Sequence, residues 1–146
     1  MAFSRHFVWA GLAAACAAGL GGCSRQRDYP VPGNLYPVLG TIRVGDRPLT
    51  GGLLSCILVT DTDKYGPAEA PAEVRPDGTF EPILFSGRPG LYPGRWKVVV
   101  KSTAVYKDGK KSVAAQKVPD RYTHEETSNL FIDVAEGDNA PILALR

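Results

Sequence analysis

The chain has 146 residues, 44% hydrophobic and 22% charged, with a formal net charge of +2. That length and apolar share suffice for one domain with its own core, and the near-neutral balance argues against a nucleic-acid-binding surface, which needs clustered basic charge. Only three cysteines are present and no sequence repeat recurs, which argues against a disulfide-stapled scaffold and against a solenoid.

At the start, Arg5 and His6 precede an uncharged apolar run from Phe7 to Leu20. A membrane-spanning helix needs about 20 apolar residues, so this run is too short to remain as a span. Basic start, apolar run and small residues in that order are the pattern of a secretory leader. Leu20-Gly21-Gly22-Cys23 resembles the lipobox of bacterial lipoproteins: an aliphatic residue, two small residues, then cysteine. The resemblance implies removal of residues 1–22 and acylation of Cys23 by diacylglycerol and an N-acyl chain. Several acyl chains, each methylene contributing about 0.8 kcal/mol, would anchor the chain in effect permanently. No other cofactor is expected. Ser24, not aspartate, follows the cysteine, which by lipoprotein sorting rules favours the outer membrane, facing periplasm or cell surface, over the inner membrane. Loss of Cys16 with the leader and acylation of Cys23 would leave Cys56 without a partner.

Residues 23–37 read as the lipidated N-terminus and a tether. Pro30, Pro32 and Pro37, with Gly33 and Asn34, oppose a helix and favour extended chain of roughly 3.1 Å per residue.

From residue 38 to residue 146 the pattern is short strands broken by turns. Val38–Val44 puts Ile42 and Val44 on one face, and Gly45-Asp46-Arg47-Pro48 turns the chain. Leu53–Thr60 is apolar on both faces, as in a central strand. Glu69–Val74 is a weaker strand, ending at the strong turn Pro76-Asp77-Gly78. Thr79–Phe85 resumes extended chain, with Pro82 demanding an edge position. Gly94–Lys101 alternates Trp96, Val98 and Val100 with Arg95, Lys97, Val99 and Lys101, which puts charge on the solvent face. A strand over Val113–Val118 and a turn at Lys107-Asp108-Gly109-Lys110 are expected within the long Ser102–Asn129 segment, with Pro119–Asn129 an ordered polar loop. Leu130–Val134 and Pro141–Leu145 follow, joined by a turn at Gly137-Asp138-Asn139. No helix is expected after the leader. The fold class is therefore all-β, a single antiparallel seven-stranded sandwich.

The order of these motifs resembles the carboxypeptidase regulatory-like, or transthyretin-like, Greek-key β-sandwich domain found in small bacterial lipoproteins. The residues that carry the resemblance are Gly40–Val44 with Arg47-Pro48-Leu49, Leu53–Val59, Pro76–Phe80 and Tyr92–Val100. The tail adds Val118–Tyr122, Thr127–Leu130 and Val134–Leu145. The resemblance implies an interaction module and carries over no catalytic residue. Gly51-Gly52 and the arrhythmic Asp61–Ala72 depart from it.

No residue set suggests catalysis. His124 is the only histidine after the leader, and its neighbours Glu125 and Glu126 would rarely converge with it on one ion, since zinc needs three or four ligands. Asp61-Thr62-Asp63 has the acid spacing of a calcium loop but lacks the later oxygen ligands. A serine triad would have to use His124, with no nucleophile elbow in sight; related purine-pathway hydrolases use several histidines. Cys56 shares a face with Leu54 and Leu58 and reads as a buried hydrophobe.

The residues offered as an interaction loop are Lys107, Lys110, Lys111 and Tyr122. Tyr65, Tyr92, Tyr106 and Tyr122 could stack on sugars or cover the ends of the sandwich. The expectation is a non-catalytic envelope lipoprotein whose module binds an envelope protein or polysaccharide. A carbohydrate-binding module is the alternative, and a small hydrolase a distant second.

Overall fold

Period-2 alternation of apolar and charged residues around Trp96 builds the longest strand of the protein, and the rest of the sheet grows from it. A computed structural model describes residues 33–84, 87–107, 110–112 and 116–146. The lipobox residues Leu20, Gly21, Gly22 and Cys23, and the tether up to residue 32, lie outside the described residues.

The strands are β1 (Gly40–Val44), β2 (Arg47–Pro48), β3 (Gly52–Leu58), β4 (Glu69–Val74), β5 (Thr79–Phe80) and β6 (Ile83–Leu84). They continue with β7 (Arg88–Pro89), β8 (Gly94–Ser102), β9 (Val105–Lys107), β10 (Lys110–Ser112), β11 (Leu130–Val134) and β12 (Ile142–Leu145). The described residues are all-β apart from a 3-10 turn at Asp120–Tyr122 and a one-turn helix, α1 (Thr62–Tyr65), which corrects the expectation of no helix after the leader. One sheet runs in the order β11-β8-β3-β4-β5-β1-β12, with β2 paired onto β1. Each of the seven strands expected from sequence has a counterpart on that path. Two hairpins, β6–β7 and β9–β10, stand apart from it.

The sheet curls. Leu54, Cys56, Trp96, Val98 and Ile132 from its first half share one core cluster with Ile42, Phe80, Leu143 and Leu145 from its second. Each fully buried side chain of this size contributes roughly 1.5–3 kcal/mol. β3 sits between β4 and β8; Leu54, Cys56 and Leu58 on one face are buried, whereas on the other only Ser55 is, with Ile57 half-buried and Leu53 exposed, so the face the sequence indicated as apolar is only partly covered. A β-bulge opposite Leu53 and Leu54 leaves Lys101 as the extra residue of β8.

The sequence EAPAEV of β4 is explained by its edge. Leu58 N–H donates to the Ala68 carbonyl (2.9 Å), and antiparallel ladders alternate bonded with non-bonded pairs. Glu69, Pro71 and Glu73 therefore turn their backbone groups away from β3. On that side β4 meets β5 only at Val74 and Phe80. A proline and two carboxylates there block edge-to-edge pairing, while Ala70, Ala72 and Val74 face the core.

Three further expectations need correction. The pairing is not wholly antiparallel: β1 and β12 run parallel, because Val38 and Asn139 bring both strands in from the same end. Thr79–Phe85 is not one strand; Glu81-Pro82 interrupts it after Phe80, and Ile83–Leu84 turns instead into β7, with Pro82 accepting from Gly90 N–H (3.0 Å). The strand expected over Val113–Val118 lies earlier, at Lys110–Ser112, where Lys107 faces Lys110 across the hairpin. Residues 116–118 form no strand, and 113–115, like the turn residues 108–109, lie outside the described residues.

Turn chemistry elsewhere follows the sequence. Asp77 accepts from Thr79 N–H (2.9 Å) and Thr79 Oγ1 (2.6 Å), and these bonds hold its carboxyl below its ordinary pKa. Gly78 adopts φ +83°, and a Cβ there would meet Pro48 Cβ at 2.8 Å and the Ile42 carbonyl at 2.9 Å.

Candidate interaction surface

The two ends of the curled sheet are finished differently. At one end lies the first described residue, Gly33, against Tyr65. Tyr65 and Tyr92 stack there with ring centroids 4.6 Å apart and planes 5° from parallel, both buried. Below them Trp96 Nε1–H donates to the Tyr92 carbonyl (2.9 Å). These two tyrosines thus cover the end of the core, and their faces are occupied by each other.

At the opposite end, where β3 begins and β4 and β8 finish, a groove of about 630 Å³ opens. Gly52, Leu53, Val74, Pro76, Ile83 and Ala104 give it an apolar lining. Leu53 and Ile83, 43% and 44% exposed, line the same groove; Leu39, Val59 and Ile142 are more exposed and lie outside its lining. Glu73 and the ion pair Arg75–Glu81 (3.3 Å) form its charged edge. Gly52, at φ +134°, admits the Ser102 carbonyl so closely that a Cβ would lie 2.3 Å from it. The sequence signalled this site only through Gly51-Gly52, read as a loosening of the strand. Leu53 and Ile83 gave no signal, because either could have been core.

The residues offered from sequence are not all brought together. Lys107, Lys110 and Lys111 lie on the β9–β10 hairpin, which leaves the sheet beside this open end. Tyr122 is not a surface contact residue. It is buried at 4% exposure, and its hydroxyl donates to the Arg146 carbonyl and accepts Arg146 N–H, each at 3.2 Å. The bond from Arg146 N–H lowers its pKa. Its role is to fasten the 3-10 turn to the end of β12. Ser128 strengthens the same segment by donating to the buried Val98 carbonyl. Pro119–Asn129 is thus the ordered loop the sequence indicated.

The remaining candidates are placed as follows. His124 is exposed, its Nδ1 2.9 Å from Thr123 Oγ1 and 3.3 Å from the Asp120 carbonyl, so it finishes the 3-10 turn. Asp61, at φ 57°, starts α1 and accepts from Lys64 and Tyr65 N–H with its carbonyl. Among the described residues no group of three or more His, Cys, Asp or Glu is placed to hold a metal ion. Cys56 is fully buried, as its position beside Leu54 and Leu58 indicated, and burial pushes its thiol pKa up to about 12. A thiol so protonated is a poor nucleophile. No helix among the described residues is long and apolar enough to cross a membrane. Searches against protein-family profiles, curated proteins and solved structures give no match.

Proposed function

We propose that this chain is a non-catalytic lipoprotein of the bacterial cell envelope, anchored through Cys23, whose domain is an interaction module for an envelope protein or polymer. The observation that carries this reading is the contrast between the ends: aromatics seal the one where the tether enters, and an apolar groove with exposed Leu53 and Ile83 opens at the other. A module held by its N-terminus presents its far end to partners, and rigid scaffolds commonly carry binding surfaces there. The all-β class, with one continuous sheet in the order β11-β8-β3-β4-β5-β1-β12, supports the sandwich part of this reading at the level of fold class. Sugar stacking on Tyr65 or Tyr92 is disfavoured, because each ring already covers the other.

Two measurements test the reading. Mass spectrometry of the chain from membranes should find acylated Cys23 at its N-terminus, and Cys23→Ser should release it into the soluble fraction. A photo-crosslinking side chain at Leu53 or Ile83 should trap one reproducible adduct in intact cells, and the same probe at exposed Asp133 should not. An unacylated N-terminus refutes the anchor; indistinguishable adducts from the three positions refute the module.

A further inference from the structure

The curled sheet has two outer edges, β11 and β12, and they are finished differently. At β11 the Arg95 carbonyl accepts Val59 N–H (2.8 Å) on the β3 side, so Trp96 and Val98 turn their backbone groups to Ile132 and Leu130. The outward positions of β11 are therefore Phe131 and Asp133, and Asp133 is exposed and paired with Arg95. Charge on a short edge strand discourages the addition of another strand. Glu69, Pro71 and Glu73 guard β4 in the same way.

The β12 edge carries no such guard. Its parallel pairing with β1 uses odd-numbered residues: the carbonyls of Asn139, Pro141 and Leu145 accept from the N–H groups of Leu39 (2.9 Å), Thr41 (2.9 Å) and Gly45 (3.0 Å). The N–H and C=O groups of Ala140, Ile142 and Ala144 point off the sheet instead, and among the described residues no hydrogen bond takes them. All three side chains are exposed and uncharged. Pro141 lacks its donor on the β1 side, so the outer row stays intact. The Tyr122 hydroxyl holds the backbone of Arg146 and ends the row there. At the other end Asn139 pins the preceding turn, its Oδ1 accepting Ala135 N–H and its Nδ2 donating to the Ala135 carbonyl, each at 3.0 Å. Ile142 (69%) and Leu39 (56%) are the most exposed large aliphatic residues among those described, and both lie on the outer face at this edge.

We propose that β12 pairs with β12 of a second copy of this chain, antiparallel about Ile142. The row itself selects this occupant, because it reads small, large, small from either end. A twofold axis at Ile142 sets Ile142 against Ile142 and Ala140 against Ala144. In each pair the free groups face one another, so two backbone hydrogen bonds are exchanged, as in the bonded pairs of any antiparallel ladder. A slip of one residue would set Ile142 against residue 141 or 143, whose groups belong to β1. Arg43, level with Ala144, comes level with Leu39 of the other copy, so no like charges meet. So short a row buries far less than the roughly 1,600 Å² of a standard interface, and the dimer is weak and concentration-dependent. The inference rests neither on the groove at Leu53 nor on acylation of Cys23.

The test uses the full chain in detergent. Sedimentation over a wide range of concentration should shift from monomer towards dimer. Ile142→Lys sets two ammonium groups face to face and should weaken the association about tenfold or more, while the melting temperature holds because the site is exposed. Should that variant misfold, Ala144→Pro removes an outward N–H without touching the bonds to β1 and should weaken it as well. Cysteines read the register: bonded pairs hold their Cα atoms about 5.5 Å apart, within the span of about 4.4–6.8 Å that a disulfide bridges. Under mild oxidation Ile142→Cys should crosslink to itself, and Ala140→Cys should crosslink to Ala144→Cys in a mixture but to itself far less. The parent chain measures the background from Cys16, Cys23 and Cys56, and Leu53→Cys measures random collision. A monomer throughout the range, association unchanged in Ile142→Lys and Ala144→Pro, or Ile142→Cys dimers no more abundant than those of Leu53→Cys would each overturn the proposal. So would a different protein captured at position 142 in place of a second copy.

Discussion

The sealed end and the open end of this domain are built from the same strands, β3, β4 and β8, yet they solve opposite problems. Where β3 ends and β8 begins, Tyr65 and Tyr92 stack over Trp96, and the last polar atom there, the indole nitrogen, is satisfied by the Tyr92 carbonyl. Where β3 begins and β8 ends, small residues line the edge: Gly51, Gly52, Ser102 and Ala104. Large aromatic rings close a sheet end because one side chain covers many backbone and core atoms. Glycine and alanine leave a hollow. The lesson is that one end is devoted to stability and the other is free to vary in surface chemistry.

The comparison breaks most directly at Trp96. Trp96→Ala removes a fully buried side chain and should cost about 3–5 kcal/mol in urea-induced unfolding. A loss below about 1 kcal/mol would mean that the sealed end is not the seat of stability. Cys56 reports how tightly the core between the ends is closed. Because its folded pKa is raised from 9.0 to about 12, the neutral thiol's contribution is fully present below pH 9.0 and lost as pH rises from there towards about 12. Stability should fall across that window in the native protein and less in Cys56→Ala. A thiol reagent at pH 8 should modify Cys56 only as fast as the protein opens. The smallest effect belongs to the open end: Leu53→Asp and Ile83→Asp should each change stability by about 0.5 kcal/mol or less, as partly exposed sites do. A loss of about 2 kcal/mol would make that groove part of the core and remove the contrast.

Much of the frame was legible in the chain itself. β8 and β11 were plain because alternation marks one buried face, with Trp96, Val98 and Val100 of one strand alongside Leu130 and Ile132 of the other; Val99 alone breaks the pattern and is buried on the opposite face. Cys56 was placed by its spacing from Leu54 and Leu58. The Thr79–Phe85 segment failed because proline forbids a central pairing without saying where the chain goes next. Here it ends β5 and feeds a separate hairpin. Tyr122 failed for a different reason: a tyrosine in a polar loop has the same sequence signature whether its ring faces water or the core.

By itself the sequence determined what local chemistry dictates: the all-β class, the places of the main strands other than Thr79–Phe85, the Asp77-Gly78 turn and the inward face of each alternating strand. Side-chain period and turn stereochemistry act over a few residues, so they can be read without knowing the fold. Only the tertiary structure decided what depends on residues distant in sequence. It set β1 parallel to β12, closed one end with Tyr65 on Tyr92, and turned Leu53 and Ile83 outward. Each of these follows from how the sheet curls, and curling is a property of all its strands together.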